Sequence, residues 1–307
     1  MKELVIISGK GGTGKTSMVA SFAALTKQAV LADCDVDAAD LHLVLDPTTV
    51  RRENFSGGIR VRIETERCVA CGKCQEVCRF SAVHCDGPGN GVVAKTYRID
   101  PIACEGCGVC AWFCPAKAIE LAPAVNGEWF VSDTRHGPMV HAKLGVAEEN
   151  SGKLVSVVRS HAREEAERLG FNLVLIDGSP GIGCPLIASI TGADLVLIVT
   201  EPTLSGLHDL GRVADVARHF GIPALVCINK WDINPDVAMR IEQDAVARGL
   251  KVVGRVRYDR AVTEAQIQKR AVIEYKTNCC AQDIRAVWKE VEAVLRHQER
   301  SENCPAL

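Results

Sequence analysis

The sequence predicts an α/β fold, a doubly wound and mostly parallel sheet carrying a small α+β insert. Three observations lead there. An apolar run at the start of the chain empties into a glycine-rich loop and then a helical stretch. Four further short apolar runs follow, and helical patterns alternate with strands through the C-terminal half, as in a parallel sheet. Between the second and third runs lies a cysteine phrase written twice.

The first run, Leu4 to Ser8, reads as a buried parallel strand. Gly9-Lys10-Gly11-Gly12-Thr13-Gly14-Lys15-Thr16 follows it, with a helix from Ser17 to about Lys27. That is G-x-x-x-x-G-K-[ST] in its strand–loop–helix setting, the phosphate-binding P-loop. Its glycines let backbone N–H groups curl around phosphates, and the helix N-terminus adds a positive end. Lys15 is expected at the β- and γ-phosphates, and the Thr16 hydroxyl on Mg²⁺. The second run, Ala29 to Asp33, ends in Asp33-Cys34-Asp35, with Asp37 and Asp40 read as solvated loop charges. Leu173 to Asp177 is an apolar strand capped by an aspartate, which completes the Mg²⁺ shell through water. Leu195 to Thr200, and Ala224 to Ile228 ending in Asn229, are two more buried strands. Helices are expected at His208–Phe220, Pro235–Arg248 and Ala281–His297.

The doubled phrase is Cys68, Cys71, Cys74, Cys78 and then Cys104, Cys107, Cys110, Cys114, each C-x2-C-x2-C-x3-C. In such runs the fourth cysteine ligates the other cluster. The spacing therefore predicts two 4Fe–4S clusters, one on Cys68, Cys71, Cys74 and Cys114, the other on Cys104, Cys107, Cys110 and Cys78. Zinc needs four ligands per site and gives no reason for the doubled run. The segment resembles a bacterial two-cluster ferredoxin, with Arg79 where the second run has Pro115. The expected domains are an ATPase domain of residues 1–58 and 123–307, and an inserted ferredoxin domain of residues 59–122. Turn-rich Asn54–Gly58 and Pro123–Asn126 mark entry and exit.

Lys10, a second lysine after the first glycine, resembles the deviant Walker A loop of the MinD/ParA/nitrogenase iron protein superfamily. The resemblance implies an ATP-dependent sandwich homodimer in which Lys10 reaches the partner's nucleotide. It also implies that Asp35 orients the attacking water, that Asp33 supports the Mg²⁺ shell and that Asn229 reads the adenine edge. Gly178 to Gly181 resembles switch II. Asn229-Lys230-Trp231-Asp232 also fits the guanine-reading N-K-x-D pattern, although the loop context favours ATP. Across the chain, including Gly137–Ala142 and Glu148–Leu154, the pattern is similar to MinD-like ATPases with an inserted ferredoxin domain.

The chain has 307 residues, a formal net charge of −2 and 15 cysteines. The charge gives no reason to expect nucleic acid as a partner. No apolar run approaches the roughly 18 residues of a membrane span. The tail from His297 to Leu307 is mixed in charge and poor in large apolar residues, so no stable membrane anchor is expected. Met1-Lys2-Glu3 runs straight into the first strand, and the expected setting is cytoplasmic. Cys34, Cys85, Cys184, Cys227, Cys279, Cys280 and Cys304 remain. Most are read as small buried or inert positions, with Cys184 in switch II as a candidate intersubunit ligand. His136 and His141 are read as hydrogen-bonding residues rather than ligands.

The expected function is an ATP-gated electron carrier serving an unidentified redox or metal-cofactor protein. The alternatives are a metal-cluster scaffold of the Mrp type and a MinD-like spatial organiser.

Overall fold

The computed structural model describes residues 1–26, 28–145 and 151–302, with side chains through 298. Lys27, Glu148–Asn150, Cys304 and the tail beyond Glu302 lie outside the described residues. The chain divides into two compact units, the first made of Met1–Glu53, Glu128–Lys143 and the chain from Ser151 onward, the second built on Asn54–Gly127.

The first unit is organised by three wholly buried strands, β1 (Lys2–Ile7), β2 (Ala29–Asp33) and β9 (Leu195–Thr200). Before β9 come β3 (Thr48–Ile63), β4 (Val83–Gly87), β5 (Thr96–Ile99), β6 (Ile119–Thr134), β7 (Gly137–Leu144) and β8 (Leu173–Asp177). After it come β10 (Ala224–Asn229) and β11 (Lys251–Val256). The main sheet has nine strands in the order β11-β10-β9-β1-β8-β2-β7-β6-β3. Six pairings in it, from β11 through β10, β9, β1, β8 and β2 to β7, are parallel. β1 sits between β8 and β9, so the chain leaves it in the crevice where the strand order reverses, the usual ligand position of such sheets.

β8, β9 and β10 fall where the apolar runs place them, and β11 has no counterpart in the sequence reading. Two of the expected helices run longer than periodicity alone suggests. Among the helices α1 (Lys15–Leu25), α2 (Leu41–Leu45), α3 (Lys73–Glu76), α4 (Val109–Trp112), α5 (Ser151–Leu169), α6 (Cys184–Ile190) and α7 (Leu204–His219), the last starts four residues before His208. Its cap is Thr203, whose hydroxyl accepts from the Gly206 N–H at 2.9 Å. α8 (Pro235–Ala247) begins at its proline behind an Asn234 cap. Beyond α9 (Ala261–Ile267) and α10 (Val272–Tyr275), α11 (Cys279–Glu302) opens behind Asn278, whose side chain accepts from Ala281 N–H at 2.8 Å. Its buried Ile284, Val287, Trp288, Val291 and Leu295 form one helical stripe. Trp288 packs on Phe22 of α1 with ring centroids 4.9 Å apart.

The strands β7, β6 and β3, at one side of the main sheet, and the short α2 have no counterpart in the sequence reading. The expected turns at Asn54–Gly58 and Pro123–Asn126 are extended strand instead, inside β3 and β6. The Asn126 side-chain oxygen accepts from the N–H groups of both Gly57 and Gly58, at 3.0 and 2.9 Å. A side chain thus satisfies backbone donors at the glycine pair, and the pair stays extended.

The second unit is a repeat with an offset of 36 residues. α3 and α4 are matching four-residue helices, each entered through a left-handed glycine, Gly72 at φ 79° and Gly108 at φ 74°. The antiparallel pair β4–β5 belongs to the first half, and the end of β3 and start of β6 hold the matching positions of the second.

Candidate nucleotide and cluster sites

The P-loop leaves β1 and wraps a cavity of about 710 Å³ that is lined by Gly11 through Met18, Asp35, Asn229 and Tyr258, among others. Gly12 and Gly14 adopt left-handed φ of 78° and 91°. A Cβ on Gly14 would collide with the Asn229 side chain, and one on Gly9 with Asp209 of α7, so both positions admit only hydrogen. Gly14 caps α1 with no side-chain bond, which leaves the first-turn N–H groups for an anion. Ser17 faces Gln266, whose amide donates to its hydroxyl at 3.0 Å.

Lys15 is buried and stands between two carboxylates, paired to Asp177 Oδ1 and lying 3.5 Å from Asp35 Oδ2. Burial pulls its pKa down, but Asp177, then Asp35 and Asp33, outweigh that and raise it. Burial raises the pKa of Asp35 against the pull of Lys15. Asp33 is wholly buried and pushed well up, by burial first and by the Asp177 charge second. Its two oxygens accept from the N–H groups of Asp35 (3.2 Å) and Leu41 (3.1 Å), so it fastens the loop after β2. Asp177 Oδ2 is buried without a hydrogen-bond partner, and so is Thr13 Oγ1. An unpartnered oxygen on the aspartate that pairs with the P-loop Lys15 suits a hydrated divalent cation.

Lys10 folds onto its own chain, 2.7 Å from Glu201 Oε1, with its ammonium donating to Ser205 Oγ at 2.9 Å and Thr203 Oγ1 at 3.3 Å. Glu201 also holds Lys230 at 3.2 Å, and Lys230 donates to the Gly12 carbonyl at 2.9 Å. Burial works to raise the Glu201 pKa, yet the two lysines bring it below the ordinary value. Asn229 Nδ2 donates to the Thr13 carbonyl at 2.7 Å, and its oxygen accepts from Lys230 N–H at 3.0 Å. Asp232 Oδ1 accepts from the Tyr258 N–H at 2.7 Å and does not line the cavity. Sequence reasoning missed Glu201, Lys230 as a P-loop ligand, and the cavity wall of Arg257, Tyr258 and Gln266. These lie on loops and a helix far along the chain, where no spacing ties them to Gly9–Ser17.

The eight cysteines of the doubled phrase surround two cavities. Cys68, Cys71, Cys74 and Cys114 line one, with Ile63 and Tyr97. Cys78, Cys104, Cys107 and Cys110 line the other, with Val61 and Phe80. Among the described residues no three His, Cys, Asp or Glu side chains converge on a single ion. An all-thiol donor set around a small apolar space suits iron–sulfur chemistry. The Ala118 N–H also points at Cys114 Sγ, 3.3 Å away, a backbone bond of the kind that tunes such sulfurs.

Of the other cysteines, Cys34, Cys227 and Cys280 are buried, and Cys85, Cys184 and Cys279 are exposed. His136 Nε2 bonds Glu274 at 2.9 Å and His141 Nε2 bonds Ser132 Oγ at 2.9 Å. No helix among the described residues is long and apolar enough to cross a membrane.

A parallel sheet with this loop after β1 and a buried aspartate ending β8 defines a P-loop nucleotide-binding protein. Residues 4–272 match the CobQ/CobB/MinD/ParA nucleotide binding domain, and the chain belongs to that family. An uncharacterized protein of Methanocaldococcus jannaschii is 36% identical over 240 residues, 76% of this chain and 79% of that protein. The pyruvate synthase subunit PorD of Thermotoga maritima is 34% identical over 83 residues, 26% of this chain and 78% of that subunit. The fold is similar to the cell division ATPase MinD of Pyrococcus furiosus, with a TM-score of 0.56, 17% identity, and 95% of this chain and 99% of that one covered.

Proposed function

We propose that this protein is an ATP-binding and ATP-hydrolysing iron–sulfur protein that couples a nucleotide-driven dimer switch to one-electron transfer with a partner metalloprotein. The observation that carries this is the placement of eight cysteines around two cavities, in a unit inserted between Asp35 and Asp177 of a P-loop site. The two sets of cavity-lining cysteines hold one 4Fe–4S cluster each, and those clusters supply one-electron redox chemistry. In the nucleotide site, Lys15 and the α1 N-terminus take the phosphates, and Thr16 and Asp177 take Mg²⁺. Asp35 orients the attacking water, and Asp33 keeps the Asp35 loop in place. Adenine is favoured over guanine because Asp232 is engaged by the Tyr258 backbone and does not line the cavity. Lys10 acts across an ATP-dependent homodimer once it leaves Glu201. A scaffold role for the Cys279–Cys280 pair is disfavoured by the burial of Cys280.

β3 and β6 each begin in one unit and end in the other, so the chain that follows the Asp35 loop is continuous with the cysteine unit. Coupling between two sites of about 1–3 kcal/mol corresponds to a midpoint shift on the order of 40–130 mV for one electron. The test is an anaerobic redox titration with Mg·ATP, with Mg·ADP and with Lys15→Ala. A shift with ATP alone is expected. Identical midpoints in all three, with unchanged chelator access, would falsify the coupling.

A further inference from the structure

The repeat in the second unit provides its own control, because matching positions 36 residues apart occupy matching places. Val61 and Tyr97 line opposite cavities, as do Phe80 and Ala116, and Ala82 and Ala118. The outward positions do not match in character. Lys73 and Glu76 form a solvent-facing ion pair at 2.9 Å on α3, where α4 presents Val109 and Trp112. Lys95 matches Ile59, Cys85 matches Leu121, and exposed Glu66 matches Ile102. The match runs the other way at Val69, 50% exposed, against Glu105, and at Phe80 against Ala116.

Around the second cavity these side chains are uncovered: Trp112 is 91% exposed, and Val109, Leu121, Ile59 and Phe80 between 41 and 47%. They are neighbours. Phe80 and Val109 line the same cavity, and Trp112 lies three residues on from Val109, on the same face of α4. Leu121 packs where a Cβ on Gly108 would touch it, and the Ile59 carbonyl abuts Gly106. Large exposed apolar residues gathered at one place mark an interaction site.

We propose that this face, beside the cavity of Cys78, Cys104, Cys107 and Cys110, is where a redox partner protein docks through an uncharged apolar patch of its own. This rests on the reading of the cysteine cavities as cluster sites. The size of the face selects the kind of occupant. Five partly exposed side chains offer on the order of 500 Å², the scale of a weak electron-transfer encounter and short of the roughly 800 Å² per partner of a stable complex. A permanent homodimer would need more. The first half, with its ion pair at the same place, offers no equivalent face.

The test exchanges the two halves' own residues. Trp112→Glu, outside the cavity lining, gives α4 the glutamate that α3 carries at the matching place, and Glu76→Trp does the reverse. Rubredoxin serves as the protein acceptor and methyl viologen as a small acceptor. Hydrogen exchange across residues 106–114 reads docking directly. The expected result for the first variant is a tenfold or greater fall in the second-order rate to rubredoxin, with the methyl viologen rate within twofold. Protection of 106–114 by rubredoxin should appear in the parent protein and vanish in that variant. Unchanged rate and protection overturn the docking face, and so does a loss confined to the reverse variant. Nucleotide-independent self-association that the first variant abolishes assigns the face to a second copy and also overturns it. A parent protein purified anaerobically without iron or labile sulfide overturns the underlying cluster reading instead, so the two failures are distinguishable.

Discussion

Ser179 donates its hydroxyl to the Cys34 carbonyl, and Cys34 in turn donates its N–H to the carbonyl of Asp177 at 2.8 Å. The loop after β2 and the loop after β8 are therefore fastened to each other through a residue, Cys34, that is itself wholly buried. Burial raises its thiol pKa, and both bonds that join the loops are made by its backbone.

Ser179→Ala should leave the buried Cys34 carbonyl without its side-chain donor. A lost partner of this kind costs about 1–3 kcal/mol. Urea denaturation should show that loss. ATP-induced dimerisation, followed by sedimentation, should weaken with it, because only the Cys34–Asp177 backbone bond then joins the two loops. A variant as stable as its parent would remove the bond from any account of the switch.

Lys15→Ala should abolish nucleotide binding. It should also lower stability in the absence of nucleotide, because Asp33, Asp35 and Asp177 then share a buried site with no cation. Breaking a buried pair typically costs about 3–5 kcal/mol. Millimolar Mg²⁺ should recover part of the loss in the variant and do little for the parent. Calorimetry at several Mg²⁺ concentrations decides it, and a Mg²⁺-independent melting temperature for the variant would count against Asp177 as a metal-shell residue.

His141 is held at a pKa of about 4, by burial first and by the nearby His42 second. The unfolded chain takes up a proton near pH 6.5 and the folded one resists it. The contribution of His141 is thus fully present above pH 6.5 and is lost as the pH falls toward 4, by up to about 3 kcal/mol. His141→Phe should flatten the stability profile in that window, with Ser132 still bonded to Thr49. Parallel profiles for the two proteins would show that the proton goes elsewhere.

Cys114→Ala should impair the cluster bound by the first cysteine run, and Cys78→Ala the cluster bound by the second, because each residue lines the other run's cavity. Anaerobic protein should carry about eight iron and eight labile sulfide per chain from two cubanes. Iron analysis with EPR of the two variants is the measurement. Loss confined to each cysteine's own run would reverse the assignment.

The parallel sheet, the P-loop and the grouping of cysteines were legible because each is a short-range pattern: a buried run, a fixed spacing, a repeated phrase. Glu201 was not, because its significance comes from Lys10 and Lys230, which only the sheet brings to it. β3 and β6 hid for another reason. Glycines, a proline and alternating charges mask their extended state, and the Asn126 side chain that satisfies Gly57 and Gly58 leaves no sequence signal. The asymmetric outer face of the second unit was fully written in the sequence, yet exposure had to be known before Val109 and Trp112 differed from core residues.

The crossing-over of Cys78 and Cys114 also fixes an order of events during synthesis. The wall around Cys68, Cys71 and Cys74 stays open on the ribosome until Cys114 has emerged, even though the rest of that half is already made. At that moment β8 and β9, the two neighbours of β1, have not yet been translated. The cysteine unit can therefore close while the nucleotide site still lacks β8 and its Asp177.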